Sequence, residues 1–178
     1  MTDTNTKEFK LSPAGPAAKW FIAGAALLPV FILTVFWLMN PGDFTPIPVW
    51  TWVLIVAIGP AILLLSMKGM RNPEVKLGTD GLKVRVSFVN KTWSLSTLNR
   101  DAAKEINLDK MDELKPRWKL YGAGMPGLKS GLFKLKNGEK AHIYITGTQK
   151  IVYVPSNNGP ILLSLEKPAA FLEHLKKL

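Results

Sequence analysis

Cysteine is absent from the chain, which excludes disulfide bonds and thiolate metal sites. The only two histidines, His142 and His174, stand far apart and away from any cluster of carboxylates, so a zinc or iron site is not expected. No Ser/His/Asp spacing or isolated carboxylate pair marks a catalytic centre, and Asp109, Asp112 and Glu113 are typical of a solvated acidic run. We therefore predict no enzymatic activity, no metal and no cofactor.

Charged residues are missing from two long stretches near the N-terminus. Residues 20–39 and residues 49–67 contain none, and each stretch has about the 20 residues that a helix needs to cross the hydrocarbon core of a bilayer. The segment between them, NPGDFTPIP, is rich in proline and favours a tight turn. The sequence predicts a two-helix transmembrane hairpin over residues 19–68.

Lysine and arginine are absent from the loop between these spans. Lys7, Lys10 and Lys19 precede the first span, which follows an N-terminal cytoplasmic segment over residues 1–18, and Lys68, Arg71 and Lys76 follow the second span. The positive-inside rule then predicts a multi-pass membrane protein with both termini in the cytoplasm. The first apolar run is longer than that of a cleaved signal peptide, and its small residues at 23–26 lie inside the run, so we interpret it as an uncleaved anchor.

The spans also lack ionisable side chains, so a proton relay or an ion path formed by this chain alone is not expected. Tryptophans do stand near the span ends, where an indole keeps its ring in hydrocarbon and its N–H among the headgroups. We assign four of them as interface anchors: Trp20, Trp37, Trp50 and Trp52.

The remaining residues, 72–178, have the pattern of a separate cytoplasmic domain. Residues 82–88 alternate apolar and polar side chains with the period of a half-buried strand. Further strand-like runs are separated by short turns, which predicts antiparallel pairing; they cover residues 131–136, 139–145, 150–155 and 161–165. Residues 97–116 fit both a helix and a short strand, and the pattern does not decide between them.

An amphipathic helix is predicted at the C-terminus. Pro168 suits a first helical turn, and four apolar residues then share one face: Phe171, Leu172, Leu175 and Leu178. The fold class that follows is an α+β membrane protein, in which the transmembrane hairpin carries an antiparallel β-barrel or curled sheet covered by this helix.

A glycine run with the spacing of a pyrophosphate-binding loop lies at Gly122, Gly124 and Gly127. Such a loop requires a helix after the glycines, whereas here a hairpin pattern follows, and Pro126 stands where an N–H is needed. We therefore predict no nucleotide binding. With Gly131, these residues are instead assigned to a sharply turning segment between two strands, where positive φ or close backbone approach excludes side chains.

The domain resembles the bacterial pleckstrin-homology-like domains. The resemblance covers roughly residues 74–178, and it is carried mainly by the G-x-P-G-x-x-x-G run that ends at Gly131 and by the closing stretch from Ser164 to Leu175. It implies a PH-like fold and a cytoplasmic scaffold, often attached to membrane-spanning helices, and with the two predicted spans it implies a multi-pass protein of the bacterial inner membrane. It implies no catalytic residues.

The formal charge of +10 arises entirely within residues 68–178. Each basic residue near an anionic membrane surface contributes about 1 kcal/mol, so a basic-aromatic patch predicts contact with membrane lipids; a merely solubilising face remains the alternative. Nucleic acid is not expected, because no binding motif is present. The patch consists of Lys115, Arg117, Trp118, Lys119, Tyr121 and Lys129.

Two functions are compatible with these features. The first is a non-enzymatic interaction scaffold or accessory subunit that binds another membrane protein or a second copy of itself, with its basic face on the anionic inner leaflet. The second is an anionic-lipid-sensing module in which lipid binding is the main function.

Overall fold

The computed structural model describes residues 6–13, 15–39, 74–86 and 89–178. Within these residues, strand β1 (Lys7–Lys10) precedes helix α1 (Pro16–Met39), and the remaining elements follow after residue 73. These are β2 (Glu74–Gly78), β3 (Gly81–Val86), β4 (Val89–Trp93), β5 (Lys104–Ile106), β6 (Pro116–Met125), β7 (Leu128–Leu135), β8 (Lys140–Ile145), β9 (Ile151–Val154), β10 (Ile161–Ser164) and helix α2 (Pro168–Lys177).

The strands of the described part form two sheets and no closed barrel, which corrects the barrel expectation. The smaller sheet has the order β1-β2-β3-β4, and the larger has the order β5-β9-β10-β8-β7-β6. The expectation of purely antiparallel pairing is also wrong, because β10 lies between β8 and β9 and pairs with β8 in parallel. The side chains of Ile161, Leu162 and Leu163 in β10 are fully buried, and a strand that is apolar on both faces is stable only inside a sheet.

Two apolar clusters lie on opposite faces of the larger sheet. Ile161 and Leu163 point into the first cluster, and Leu162 between them points into the second. The first cluster fills the space between the two sheets and α2. The second lies under the segment after β5, which contributes Leu108 and Leu114. The larger sheet is therefore covered on one face by regular structure and on the other by an irregular segment.

The C-terminal helix was predicted correctly. It begins with Pro168, and Phe171 and Leu175 are fully buried against the first cluster. The undecided segment 97–116 contains the short strand β5 and a 3-10 turn over Asp112–Leu114. The strand expected at 82–88 corresponds to β3, and residues 87 and 88 lie outside the described residues.

A partly buried pair of basic side chains lies between β4 and β8. The Nζ of Lys91 on β4 and the Nε2 of His142 on β8 are 2.8 Å apart, and the ring of Trp93 meets that of His142 edge-on at 5.2 Å. Burial, followed by repulsion from the Lys91 ammonium, lowers the pKa of His142 to about 4. His142 is therefore neutral at physiological pH, and the ammonium donates to its ring.

Helix α1 is long and apolar enough to cross a membrane. Among the described residues, one helix meets this criterion, and it is α1. Its 24 residues span about 36 Å at 1.5 Å per residue. Large apolar side chains are exposed along the helix, including Leu27, Phe31 and Leu38. The hydroxyl of Thr34 donates to the carbonyl of Val30 at 2.8 Å, so this polar group has its hydrogen-bond partner within the helix.

The described residues thus contain one apolar helix and do not contain the predicted two-helix hairpin. The second span at 49–67, with Trp50 and Trp52, lies outside the described residues, as does the loop before it. The side chain of Trp37 lies outside them as well.

Strand β1 was not anticipated from the sequence. It pairs antiparallel with β2, so that Phe9 lies opposite Val75, and Leu11 forms a bridge with Leu165. Phe9 is buried and meets Phe171 of α2 edge-on, with ring centroids 5.1 Å apart. The residues before the apolar helix are therefore a structural part of the domain that follows it.

We expect Phe9→Ala to lower the free energy of unfolding of the full-length chain by about 3 kcal/mol, the usual cost of truncating a buried phenylalanine. Thermal melting of the detergent-solubilised protein measures this change. Lys10→Ala, an exposed neighbour on the same strand, serves as the control and should change stability by less than about 0.5 kcal/mol. Equal melting of the two variants would contradict the integration of β1 into the domain.

Candidate functional site

The candidate site is built on the hairpin of β6 and β7. The two strands pair antiparallel from Pro116 to Met125, with register shifts after Pro116 and after Lys119. Such irregularities bend a strand and increase its twist. In the described part of the chain β6 is the outer strand of the larger sheet, and most of its residues are exposed.

Two glycines let the strands of this hairpin approach closely. Gly122 lies opposite Gly131, and their φ angles are 107° and 128°. A Cβ on Gly122 would lie 2.1 Å from the carbonyl oxygen of Ser130, so any side chain is excluded. Gly127, with φ of 75°, follows Pro126 in the turn. Gly124 differs, because a Cβ there would make only ordinary contacts at 3.6 Å.

The tip of the hairpin contacts the beginning of the apolar helix. The N–H of Gly15 donates to the carbonyl of Gly127 at 3.4 Å. Ala18 in the first turn of α1 is fully buried, and a Cβ on Gly127 would lie 3.3 Å from its nitrogen. The absence of a side chain at Gly127 therefore permits the contact between the hairpin and α1.

The structure divides the six residues of the predicted basic-aromatic patch between the two faces of the hairpin; four lie on β6, Lys129 lies on β7 and Lys115 directly precedes β6. Lys119 lies opposite Phe133 of the second cluster, whereas Trp118 and Tyr121 lie opposite Lys134 and Leu132. Cross-strand partners share a face and successive residues alternate. The cationic face, defined by Lys115, Arg117, Lys119 and Lys129, is thus distinct from the aromatic face, defined by Trp118 and Tyr121.

The cationic face lines a cavity of about 690 Å³. Lys136 is a fifth basic residue at its wall and was not part of the predicted patch. Lys136 lies in the turn after β7. Nothing in the sequence marks it as part of the patch, because only the fold brings Lys136 opposite Lys115. The floor is apolar and includes Leu108, Phe133 and Ile145.

One carboxylate partly neutralises this cavity. Asp112 binds Lys136 at 2.6 Å and Lys115 at 3.0 Å, and hydrogen bonds from these two lysines hold the pKa of Asp112 below its usual range. In the part of the chain that the structure describes, Arg117, Lys119 and Lys129 have no acidic partner within 4.0 Å. The cavity therefore has a large excess of positive charge.

The aromatic face presents large side chains to solvent. Trp118 and Tyr121 are each 63% exposed, and Leu120 between them is 49% exposed. Their exposure contrasts with the buried side chains of the neighbouring strands. Trp20, the predicted interface anchor in α1, is also exposed, at 77%.

The lining of the cavity combines cations, two threonines and apolar side chains. Thr146 and Thr148 belong to it, and the hydroxyl of Thr148 donates to Asp109 at 3.0 Å. Such a lining is complementary in charge to an anion. Among the described residues, no three His, Cys, Asp or Glu side chains come together as a metal site.

A model of the bacterial PH domain family matches residues 74–178, more than half of the chain. The chain belongs to this family, which confirms the resemblance seen in the sequence. PH domains are generally non-catalytic interaction modules. The match covers β2 to α2, so β1 and α1 lie outside it. No curated protein and no solved structure shows a significant similarity to the chain.

The glycine pair provides a matched test of the hairpin. Gly122→Ala should lower the melting temperature by more than about 8 °C, because the new Cβ would overlap a carbonyl oxygen at a positive φ. Gly124→Ala, two residues away, should melt within about 3 °C of the wild type. Tolerance of both substitutions would contradict the close approach of the two strands.

Proposed function

We propose that this protein is a membrane-anchored, non-catalytic PH module that serves as an interaction scaffold or accessory subunit of a membrane protein complex. In this proposal the cationic face contacts the anionic inner leaflet while the aromatic face binds a partner protein. The contact between Gly127 and the beginning of α1 carries the proposal. It holds the cationic face beside the point where the anchor enters the bilayer.

The pairing of β1 with β2 supports a two-span anchor. These strands lie before and after the apolar segment, and their hydrogen bonds require both to be on the same side of the membrane. If α1 crosses the bilayer, the chain must cross back before Glu74. The uncharged residues 49–67 supply a second stretch of suitable length.

The same pairing argues against a cleaved signal peptide. Cleavage after α1 would remove β1 and with it the buried side chain of Phe9. The lysines before α1 and the basic residues after 67 favour the cytoplasm for both termini. We therefore propose a multi-pass protein of the inner membrane with its PH domain in the cytoplasm.

The aromatic face supports the scaffold role. Exposed tryptophan and tyrosine are enriched at the energetic centres of protein interfaces, because they bury a large area with few rotatable bonds. Trp118 and Tyr121 lie on the opposite face of the sheet from the cavity. A partner protein and the leaflet can therefore be contacted at the same time by one strand.

The alternative function is anionic-lipid sensing. The cavity behind the cationic face favours this alternative. A domain that only contacts the membrane surface needs a flat basic face, whereas a cavity can enclose a ligand. The two functions differ in whether a partner protein on the aromatic face or a lipid on the cationic face is the main ligand.

The proposed topology predicts the labelling of three single-cysteine variants by a membrane-impermeant maleimide in intact cells. Asp43→Cys, in the loop between the spans, should react from outside. Lys10→Cys and Asn158→Cys, both at exposed positions of the folded domain, should react only after lysis. A difference between the last two would contradict the pairing of β1 with β2, and protection of Asp43→Cys would contradict the second crossing.

The scaffold role predicts a site-specific protein crosslink. A photoreactive amino acid at Leu120 of the full-length chain in native membranes should give one discrete protein adduct, whereas the same group at Lys83 on the exposed side of β3 should give none. Trp118→Ala with Tyr121→Ala should reduce the adduct at least about tenfold, because truncation of an interface hot spot costs about 2 kcal/mol or more. Replacement of both residues by Phe should retain most of it. Adducts with lipid alone would favour the alternative function.

A further inference from the structure

We propose that the outer edge of β4 binds an extended segment of a partner protein as a fifth strand of the smaller sheet. A glutamate or aspartate of that segment pairs with Lys91, and its apolar side chains pack on Leu132 and Tyr121. This inference rests on the proposed scaffold function and names the chemistry of the partner. The segment lies on the face of the larger sheet opposite the cationic cavity.

The two sheets of the described part differ in width, with four strands in the smaller and six in the larger. A row of cross-strand neighbours shows where the smaller sheet stops covering the larger: Ile161 on β10, His142 on β8, Leu132 on β7 and Tyr121 on β6. Ile161 and His142 are buried, Leu132 is partly buried, and Tyr121 is exposed. The smaller sheet therefore covers this row as far as β8 and leaves β7 and β6 uncovered.

Strand β4 is the element at which this cover ends. It is the outer strand of the smaller sheet in the described part of the chain, and the contact of Lys91 with His142 places it over β8. Among the described residues, the backbone of Val89–Trp93 pairs with β3 and makes no other backbone hydrogen bond. Since neighbouring strands lie about 4.8 Å apart, a strand added to this edge covers β7 and β6. Strand addition to a sheet edge is a general mode of peptide recognition.

Lys91 determines the charge of the added strand. It lies opposite Val84, which is buried in the first cluster, so its side chain points between the sheets. Among the described residues no carboxylate lies within 4.0 Å of its ammonium, whose partner is the neutral ring of His142. Withdrawing a charge from water is unfavourable unless an opposite charge compensates it. A carboxylate directly opposite Lys91 on the added strand supplies this compensation, because opposed Cβ atoms lie about 5 Å apart.

The same lysine makes the edge selective. An inward-pointing charge on an edge strand ordinarily prevents a second strand from pairing with it. The ammonium of Lys91 is held in place by the ring nitrogen of His142 at 2.8 Å and lies 5.6 Å from the centre of the Trp93 ring. A strand without an acidic residue would bury this ammonium without compensation, whereas a strand with one neutralises it. Lys91 therefore rejects most strands and selects an acidic one.

The uncovered part of the larger sheet determines the neighbours of the acidic residue. Side chains two positions apart in a strand share a face, so the residues two before and two after the acidic one also point toward the larger sheet. They meet the partly buried Leu132 and the exposed ring of Tyr121. The segment that fits this edge therefore carries an acidic residue between two apolar ones on one face, with polar residues on the other.

Fluorescence anisotropy of labelled heptapeptides with the full-length protein in neutral detergent tests this pattern. The probe alternates threonine on one face with valine, glutamate and valine on the other. The second peptide has glutamine in place of glutamate, and the third has the composition of the probe but carries its glutamate on the face opposite the valines. The wild type should bind the probe at least about tenfold more tightly than either control, because a hydrogen bond between charged groups is stronger than a neutral one.

Lys91→Gln should abolish the preference for glutamate over glutamine while leaving the affinity for the glutamine peptide unchanged. The matched control is Lys83→Gln, at an exposed position of β3, which should keep the preference. N-methylation tests the strand geometry, because alternate amides of a strand point to opposite edges. Methylation of one alternate set of peptide amides should abolish binding, and methylation of the other set should not.

Equal affinity of the wild type and Lys91→Gln for the glutamate peptide would overturn the proposal. No preference of the wild type for glutamate, together with self-association of Lys91→Gln, would show that Lys91 only protects the edge. In native membranes, Lys91→Gln should also reduce the protein adduct from Leu120 about tenfold. An undiminished adduct overturns this inference and keeps the scaffold, whereas absence of the adduct from the wild type, with the peptide preference intact, overturns the scaffold alone.

Discussion

The hydrogen bonds between β1 and β2 are the constraint on which the rest of the structure depends. They join residues that the sequence separates by the whole apolar segment, since Phe9 lies opposite Val75. The buried ring of Phe9 then couples this edge of the smaller sheet to α2 through Phe171. The residues before the apolar helix and the domain after it therefore fold together, and the PH domain of this chain is completed by a strand from outside the family match.

A second constraint acts at the hairpin of β6 and β7. The opposed positive-φ glycines, Gly122 and Gly131, bring the strand backbones together, and Gly127 allows the tip to pack on α1. Because successive side chains alternate, the bent strand presents cations on one face and aromatic rings on the other. Two chemically different surfaces therefore lie on opposite sides of one short element, as the proposed contacts with a bilayer and a partner protein require.

The sequence was sufficient for features that depend on local pattern. Alternation identified β3, strand-like runs between turn residues identified β7 to β10, and the apolar face with Pro168 identified α2. It was insufficient for the strand order, because β10 inserts between β8 and β9 through contacts distant in sequence. It also missed β1, whose four residues include only one buried side chain, too few for a periodicity to be recognised.

The features of the candidate site also divide into those that the sequence predicted and those that only the structure revealed. Composition and local pattern determined that the domain is basic, that the chain lacks thiols, and that a strand of a hairpin follows the glycines, because these properties belong to residue types and their immediate neighbours. Only the tertiary structure decided that Trp118 and Lys119 face opposite ways, that Lys136 joins Lys115 at Asp112, and that the cavity opens beside α1. The physical reason is that strand register and bulges set the direction of each side chain, and register is fixed by burial across the whole sheet.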